Sequence, residues 1–306
     1  MALATQTAGH DGVRAVEWGT FSLISACYIG WAVALFWLPG ITLAGATLAM
    51  AVLITLHSSL THEVLHGHPF RSRFWNEVTM WLPLGLLVPY GRFRDLHLAH
   101  HRDAQLTDPY DDPESNYLDP EVWQRHPAWL KRVLLVNNTL AGRILIGPVV
   151  GMAVFYRSEW RQIRGGDRAA LASWGAHLPG MAAVLALVLG SGMPLWAYGI
   201  AVYASTGILR IRTFLEHQAH ERCRARTVII EDRGILAFLF LNNNLHVVHH
   251  MHPGVAWHRL PALYRSGRAR FVTINGGYVY RSYGEVFRRY LFRRKDPVAH
   301  PLWRRD

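Results

Sequence analysis

Four apolar runs, each long enough to cross a bilayer, decide which solvent this chain folds in. Residues 18–38 read WGTFSLISACYIGWAVALFWL and 41–60 read ITLAGATLAMAVLITLHSSL. A second pair follows at 174–193, WGAHLPGMAAVLALVLGSGM, and 194–211, PLWAYGIAVYASTGILRI. A bilayer core takes about 20 helical residues. Composition agrees, with 51% of residues hydrophobic, 17% charged and a mean hydropathy of +0.08. The expected fold is an all-α integral membrane protein with about four transmembrane helices, because every backbone group in lipid must be satisfied internally.

Charge orients the runs. No Lys or Arg occurs between Arg14 and Arg71, nor between Arg168 and Arg210. The connectors PG (39–40) and SGMP (191–194) are short and uncharged. Both hairpins are therefore expected to point outward, with the basic loops and both termini in the cytoplasm of a bacterial inner membrane. The net charge of +11 then describes a face close to anionic lipid. Nucleic-acid binding is set aside, because the basic residues are spread over several flanking loops and no nucleic-acid module accompanies them. One membrane domain over 1–306 is expected, with a disordered tail at 1–15, a basic tail at 290–306 and no cleavable signal peptide ahead of the first run.

Two further apolar stretches are interrupted. Residues 74–93 carry Glu77 and two prolines, and 133–156 carry Arg143 and an Asn pair. Helices lying in the membrane interface tolerate such breaks, so both are expected there. Cys27 falls in an apolar run and Cys223 in a cytoplasmic stretch, which argues against a disulfide and excludes a cysteine metal site.

The histidines carry the chemistry. The chain has 18, and the informative ones fall in tight sets: His62 and His66 in HEVLH, His97, His100 and His101 in HLAHH, and His246, His249 and His250 in HVVHH. Spacings of three and four share one face of a helix, whereas a strand would send His97 and His100 to opposite faces. Each set is expected to be a helical ligand cluster at the cytoplasmic ends of the runs. Imidazole binds several transition metals, so ligand type does not choose among them; two octahedral metals offer about twelve positions, and a set this rich leaves a few open.

HEVLH also has the spacing of a zinc protease. That chemistry uses two histidines, a glutamate and one further ligand around a single zinc, and would leave both H-x-x-H-H sets idle. A metal transporter would place its ligands near the bilayer midplane, where His177 is the obvious candidate. Of the histidines flanking the sets, His57 is turned away from His62 and is expected to pack at the end of its run, while His68, His252 and His258 are expected at the surface or beside ligands. The acidic run Asp103, Asp108, Asp111, Asp112 and Glu114 follows HLAHH directly, and ligating histidines commonly donate their free N–H to a carboxylate.

HEVLH, HLAHH and HVVHH in that order, with the paired apolar runs, resemble the membrane fatty acid desaturase and hydroxylase superfamily, which includes alkane hydroxylases and carotenoid ketolases. The resemblance covers roughly 40–290. It implies a cytoplasmic helical cap holding two irons that activate O2 against an unactivated C–H bond. TFLEHQAH (213–220) is similar to the segment in which alkane hydroxylases place one more iron-binding histidine after a glutamate. The resemblance therefore implies His62, His66, His97, His100, His101, His217, His246, His249 and His250 as iron ligands, with His220 the competitor of His217. Asp108, Asp111, Asp112, Thr213, Glu216 and His220 are expected around them; Thr213 stands where many relatives have Asn. HPGV (252–255) is faintly similar to a cytochrome b5 haem loop, but no domain of that size surrounds it, so a separate ferredoxin- or rubredoxin-like electron donor is implied. The C-terminal motif LHVVHHMHPGVAWHRLP favours desaturation of a lipid acyl chain, against hydroxylation or ketolation of an alkyl, carotenoid or small amphiphilic substrate.

Overall fold

A computed structural model describes residues 16–102 and 106–303, so the expected N-terminal tail lies outside the described residues. The helices run α1 (Trp18–Phe36), α2 (Leu43–Leu65), α3 (Arg73–Thr79), α4 (Tyr90–Arg102), α5 (Pro120–Arg125), α6 (Ala128–Asn137) and α7 (Leu140–Leu145). They continue as α8 (Gly147–Arg164), α9 (Arg168–Leu189), α10 (Leu195–Thr213), α11 (Ile235–Leu239), α12 (His246–Met251), α13 (Leu260–Ile274) and α14 (Tyr283–Tyr290). Two short parallel strands, β1 (Ile229–Ile230) and β2 (Val279–Tyr280), tie the chain after α10 to the approach of α14.

Local chemistry sets the long helices. The Glu17 carboxylate accepts from Gly19 N and Thr20 N to start α1, Thr42 Oγ1 accepts from Gly45 N to start α2, and Asp167 Oδ1 accepts from Ala169 N and Ala170 N to start α9. Among the described residues, three helices are long and apolar enough to cross a membrane: α1 with the turn after it (Trp18–Gly40), α2, and α9. The fourth expected run forms α10, which packs along α2 and ends in Arg210 and Arg212. One core joins them, with Trp31, Leu35, Met50, Ile54, Val184, Val188 and Tyr198 in contact across α1, α2, α9 and α10.

The two interrupted stretches are not single helices. Residues 133–156 divide among α6, α7 and α8: Asn137 and Asn138 end α6, Thr139 Oγ1 caps Gly142 N, and Pro148 opens α8. Residues 74–93 divide into α3, an irregular segment over 80–89, and the start of α4. Pro83 and Pro89 remove two backbone donors, and Leu86 takes a left-handed φ of 61°, which no helix continues. The irregular segment is nevertheless interior, with Leu84 fully buried.

Its carbonyls are satisfied from four helices. Tyr28 Oη on α1 donates to Leu82 O at 3.4 Å, Tyr198 Oη on α10 to Leu84 O at 2.7 Å, His177 Nε2 on α9 to Leu86 O at 2.8 Å, and Tyr156 Oη on α8 to Leu87 O at 2.9 Å. Buried carbonyls without such partners cost about 1–3 kcal/mol each. Gly180 permits the approach of α9, since a Cβ there would lie 2.4 Å from Trp81 O and 3.0 Å from Pro83 Cδ. The basic residues after 290 are tied down as well. Leu118 pairs with Ala299, Lys295 N donates to Asn138 O at 3.0 Å, and His300 is buried, so the chain to 303 lies against the body.

Gly→Ala in a helix interior ordinarily stabilises by about 1 kcal/mol. Gly180→Ala is expected to reverse that sign and cost about 1–3 kcal/mol through overpacking against Trp81. Thermal unfolding in detergent measures it, and a raised midpoint would refute the close approach.

Candidate metal centre

Three helices deliver the histidine sets. The last turn of α2 carries His62, and α2 ends at His66, where Gly67 takes a φ of 99° that a glycine accepts without strain. HLAHH lies on α4 and HVVHH forms the start of α12. His217 stands beyond the end of α10, where its backbone pairs with Thr227.

The nine histidines gather into two groups, each with its candidate ligand atoms within 4.8 Å of one another. The first holds His62, His66, His97, His101 and His249; the second holds His100, His217, His246 and His250. Each H-x-x-H-H set is thus divided. On α4 the i, i+4 pair His97 and His101 enters the first group and His100 the second, whereas on α12 the pair His246 and His250 enters the second and His249 the first. Residues four apart lie on one stripe, and the residue between them projects to the side. Two helices therefore share both groups, and neither group can form from one helix alone.

Carboxylates and an amide aim the rings. His97 Nδ1 lies 2.7 Å from Glu114 Oε1, His100 Nδ1 lies 2.7 Å from Asp112 Oδ1, and His246 Nδ1 lies 3.0 Å from Asn243 Oδ1. Asp112 is held in turn by Thr107 N and Glu114 N, at 2.8 and 2.9 Å. Asn243 Nδ2 donates to Glu216 Oε1 at 3.0 Å, and Glu216 is paired with Arg212 at 3.2 Å. These contacts point the Nδ1–H outward and the Nε2 lone pair inward.

The inward nitrogens cannot satisfy one another. His217 Nε2 meets His100 Nε2 at 3.0 Å and His246 Nε2 at 3.2 Å, and His246 Nε2 also meets His250 Nε2 at 3.2 Å. With His246 donating through Nδ1, one proton on His217 can serve one of its two contacts. In the first group the Nε2 atoms of His62, His66 and His97 are buried without a hydrogen-bond partner. A cation at each convergence satisfies these lone pairs together, so the donor set fits a metal.

Electrostatics agree. Burial, reinforced by neighbouring rings, holds His217, His246, His249 and His250 well below the usual imidazole range, which keeps them neutral and able to ligate. Burial likewise lowers His66 to about 2 and His101 to about 3. Burial also opposes charge on His100, but Glu114 and Asp112 outweigh it and raise His100 to about 9. The same carboxylates favour a metal cation in the proton's place.

Other expected residues divide clearly. Asp112, Glu114 and Glu216 reach the site, Glu216 through Asn243. Asp108 instead accepts from Tyr110 N, Asp111 N and Trp303 Nε1, and Asp111 is exposed, so the ring contacts from this run come from Asp112 and Glu114. Asp103 lies outside the described residues. Thr213 Oγ1 is buried without a hydrogen-bond partner. His220 accepts from Arg222 N and belongs to neither group. His57 pairs with Tyr28, and His258 faces Glu17 at 3.8 Å. Glu63, the would-be protease base, accepts from Trp257 N at 3.0 Å and joins neither group. His177 is occupied by Leu86 O. Asn243 was not anticipated; its signal is the NNN run (242–244) one helical turn before His246.

A helical body with apolar spans that ends in two such histidine groups defines a histidine-box membrane oxidoreductase. The fatty acid desaturase family model matches residues 35–283, and the chain belongs to that family of iron-using enzymes of lipid metabolism. It is similar to a beta-carotene ketolase of Paracoccus sp. (strain N81106 / MBIC 01143), 26% identical over 230 residues that make up 72% of this chain and 76% of the relative. A beta-carotene ketolase of Paracoccus sp. (strain PC1) is 27% identical over 236 residues, 74% of this chain and 78% of the relative.

Asp112→Ala is expected to weaken metal retention about 10–100-fold, as loss of a ligand-orienting carboxylate does. Asp108→Ala is expected to leave it unchanged. Iron per chain, measured on both purified variants, separates them; equal iron in the two would refute the orienting role of Asp112.

Proposed function

We propose that the protein holds two irons, one in each histidine group, and uses them with O2 to remove two hydrogens from a lipid acyl chain. The convergence of nine buried or half-buried imidazoles in groups of five and four carries this reading. The irons supply reductive activation of O2 and attack on an unactivated C–H bond, with electrons from a separate ferredoxin- or rubredoxin-like donor. The chain's own residues do the rest. Asp112, Glu114 and Asn243 fix the ring tautomers, and the buried faces of α2, α4 and α12 keep bulk water from the ligands.

The family match and the C-terminal motif support desaturation. Insertion of oxygen, giving an alcohol or ketone on an alkyl or carotenoid substrate, is the second reading, favoured by the two ketolase relatives and by His217 in the second group. Expression in a host with saturated lipids and a ferredoxin system, followed by mass spectrometry of lipid extracts, distinguishes them. Loss of two hydrogens is the expected result; gain of one oxygen would replace it with the second reading, and an unchanged lipidome would refute the acyl substrate.

The same proposal includes four crossings, α10 being the fourth, with both termini and the histidines on the cytoplasmic side. The uncharged outer connectors support it. In a chain with Cys27 and Cys223 replaced by Ser, single cysteines at 40 and 192 are expected to label from outside intact cells and one at 110 to stay protected. External labelling at 110 would overturn the orientation.

A further inference from the structure

Beyond the histidine groups, a cavity of about 360 Å³ opens between the chain before α11, the turn before α12 and the first half of α13. Arg233, Arg265, Arg268 and Arg281 line it, together with Glu231 and Asp232. The two acids are already engaged. Glu231 accepts from Tyr264 Oη at 2.6 Å and is paired with Arg268 at 2.6 Å, while Asp232 accepts from Gly234 N at 2.6 Å and Tyr283 N at 2.9 Å. Arg233, Arg265 and Arg281 line the same space and are without an ion pair among the described residues. The cavity therefore holds uncompensated positive charge.

The chain leaving the cavity is apolar. On α11, which starts two residues after Arg233, Ile235 is 85% exposed and Phe238 is 49% exposed. That helix packs on α2, and Phe238 meets Trp257, whose backbone N–H donates to Glu63 near the end of α2. Glu17, at the start of α1, faces His258 in the next residue. The segment that leaves the cavity is thus tied to the end of α2 and, through His258, to the start of α1, where Trp18 is also exposed.

We propose that this cavity binds the phosphate of an anionic phospholipid, with Ile235 and Phe238 set among its acyl chains. Charge complementarity supplies the anion; the two exposed apolar side chains favour a lipid over a free phosphate, which covers neither, and their helix packing on the apolar span α2 favours a lipid over a soluble acidic protein. Leu245 forms part of the wall and is bonded to His246, so the bound lipid braces the segment that carries three of the histidines.

Native mass spectrometry of the purified holoprotein, released from micelles with equal dioleoyl phosphatidylglycerol and dioleoyl phosphatidylcholine, tests this. Wild type is expected to retain phosphatidylglycerol preferentially. The Arg233→Ala, Arg265→Ala, Arg281→Ala triple variant is expected to lose that affinity on the order of a hundredfold, at about fivefold per arginine. Ile235→Asp keeps every arginine, serves if the triple variant misfolds, and is expected to weaken phosphatidylglycerol retention. Equal retention of the two lipids by wild type would overturn the proposal. So would unchanged retention in Ile235→Asp, displacement of the lipid by inorganic phosphate at equal concentration, or displacement by an acidic ferredoxin.

Discussion

Four imidazole nitrogens in the second histidine group face one another at hydrogen-bond distance, with fewer protons available than contacts to fill. This crowding of lone pairs is the constraint on which the rest of the molecule depends. It is tolerable where a cation sits at the convergence, and it demands that each ring be aimed from behind, because a free imidazole would rotate away. The supports are Asp112, Glu114 and Asn243, and behind the last of these stands the Glu216–Arg212 pair. The helices in turn bring these supports into place: α4 must leave the irregular segment at the correct angle, and α10 must end where its last turn sets Arg212 against Glu216.

The division of labour between α4 and α12 follows from helical geometry alone. In H-x-x-H-H the first and last histidines share a stripe and the fourth residue of the motif projects beside it. Two such helices facing each other exchange their odd members, so each histidine group draws on both. An enzyme built this way cannot hold one position in working order while the other helix is displaced.

Much of this was legible in the sequence. The apolar runs, the helical character of the three sets and all nine members of the two groups follow from spacing or from the family motif. His217 is instructive: its place rested on resemblance, since no periodicity links it to a helix, and the structure finds it in extended chain paired with Thr227. What sequence spacing could not supply were partners that become neighbours only after folding. Asp112 and Asp108 lie in the same acidic run, and what separates them is the turn at Thr107, which gathers one carboxylate to His100 and leaves the other to Trp303. Asn243 is concealed by chemistry: an amide seldom draws notice beside histidines, yet here it relays between a ring and a carboxylate. The stretch 74–93 breaks between α3 and α4 at its two prolines, and the partners that let the broken segment lie inside the bundle come from four different helices, which spacing along the chain does not show.

The irregular segment over 80–89 carries a consequence for how the protein is made. Its carbonyls are served by Tyr28, which precedes it in the chain, and by Tyr156, His177 and Tyr198, which follow it by many residues. When the ribosome has delivered the first hairpin and this segment, three of its four partners do not yet exist. Until they arrive, the strip must remain hydrated at the surface or within the insertion machinery, and it can sink into the bundle only as α8, α9 and α10 close over it. Assembly thus has an obligatory order, in which the last helix to be synthesised for the bundle, through the hydroxyl of Tyr198, seals a loop translated more than a hundred residues earlier.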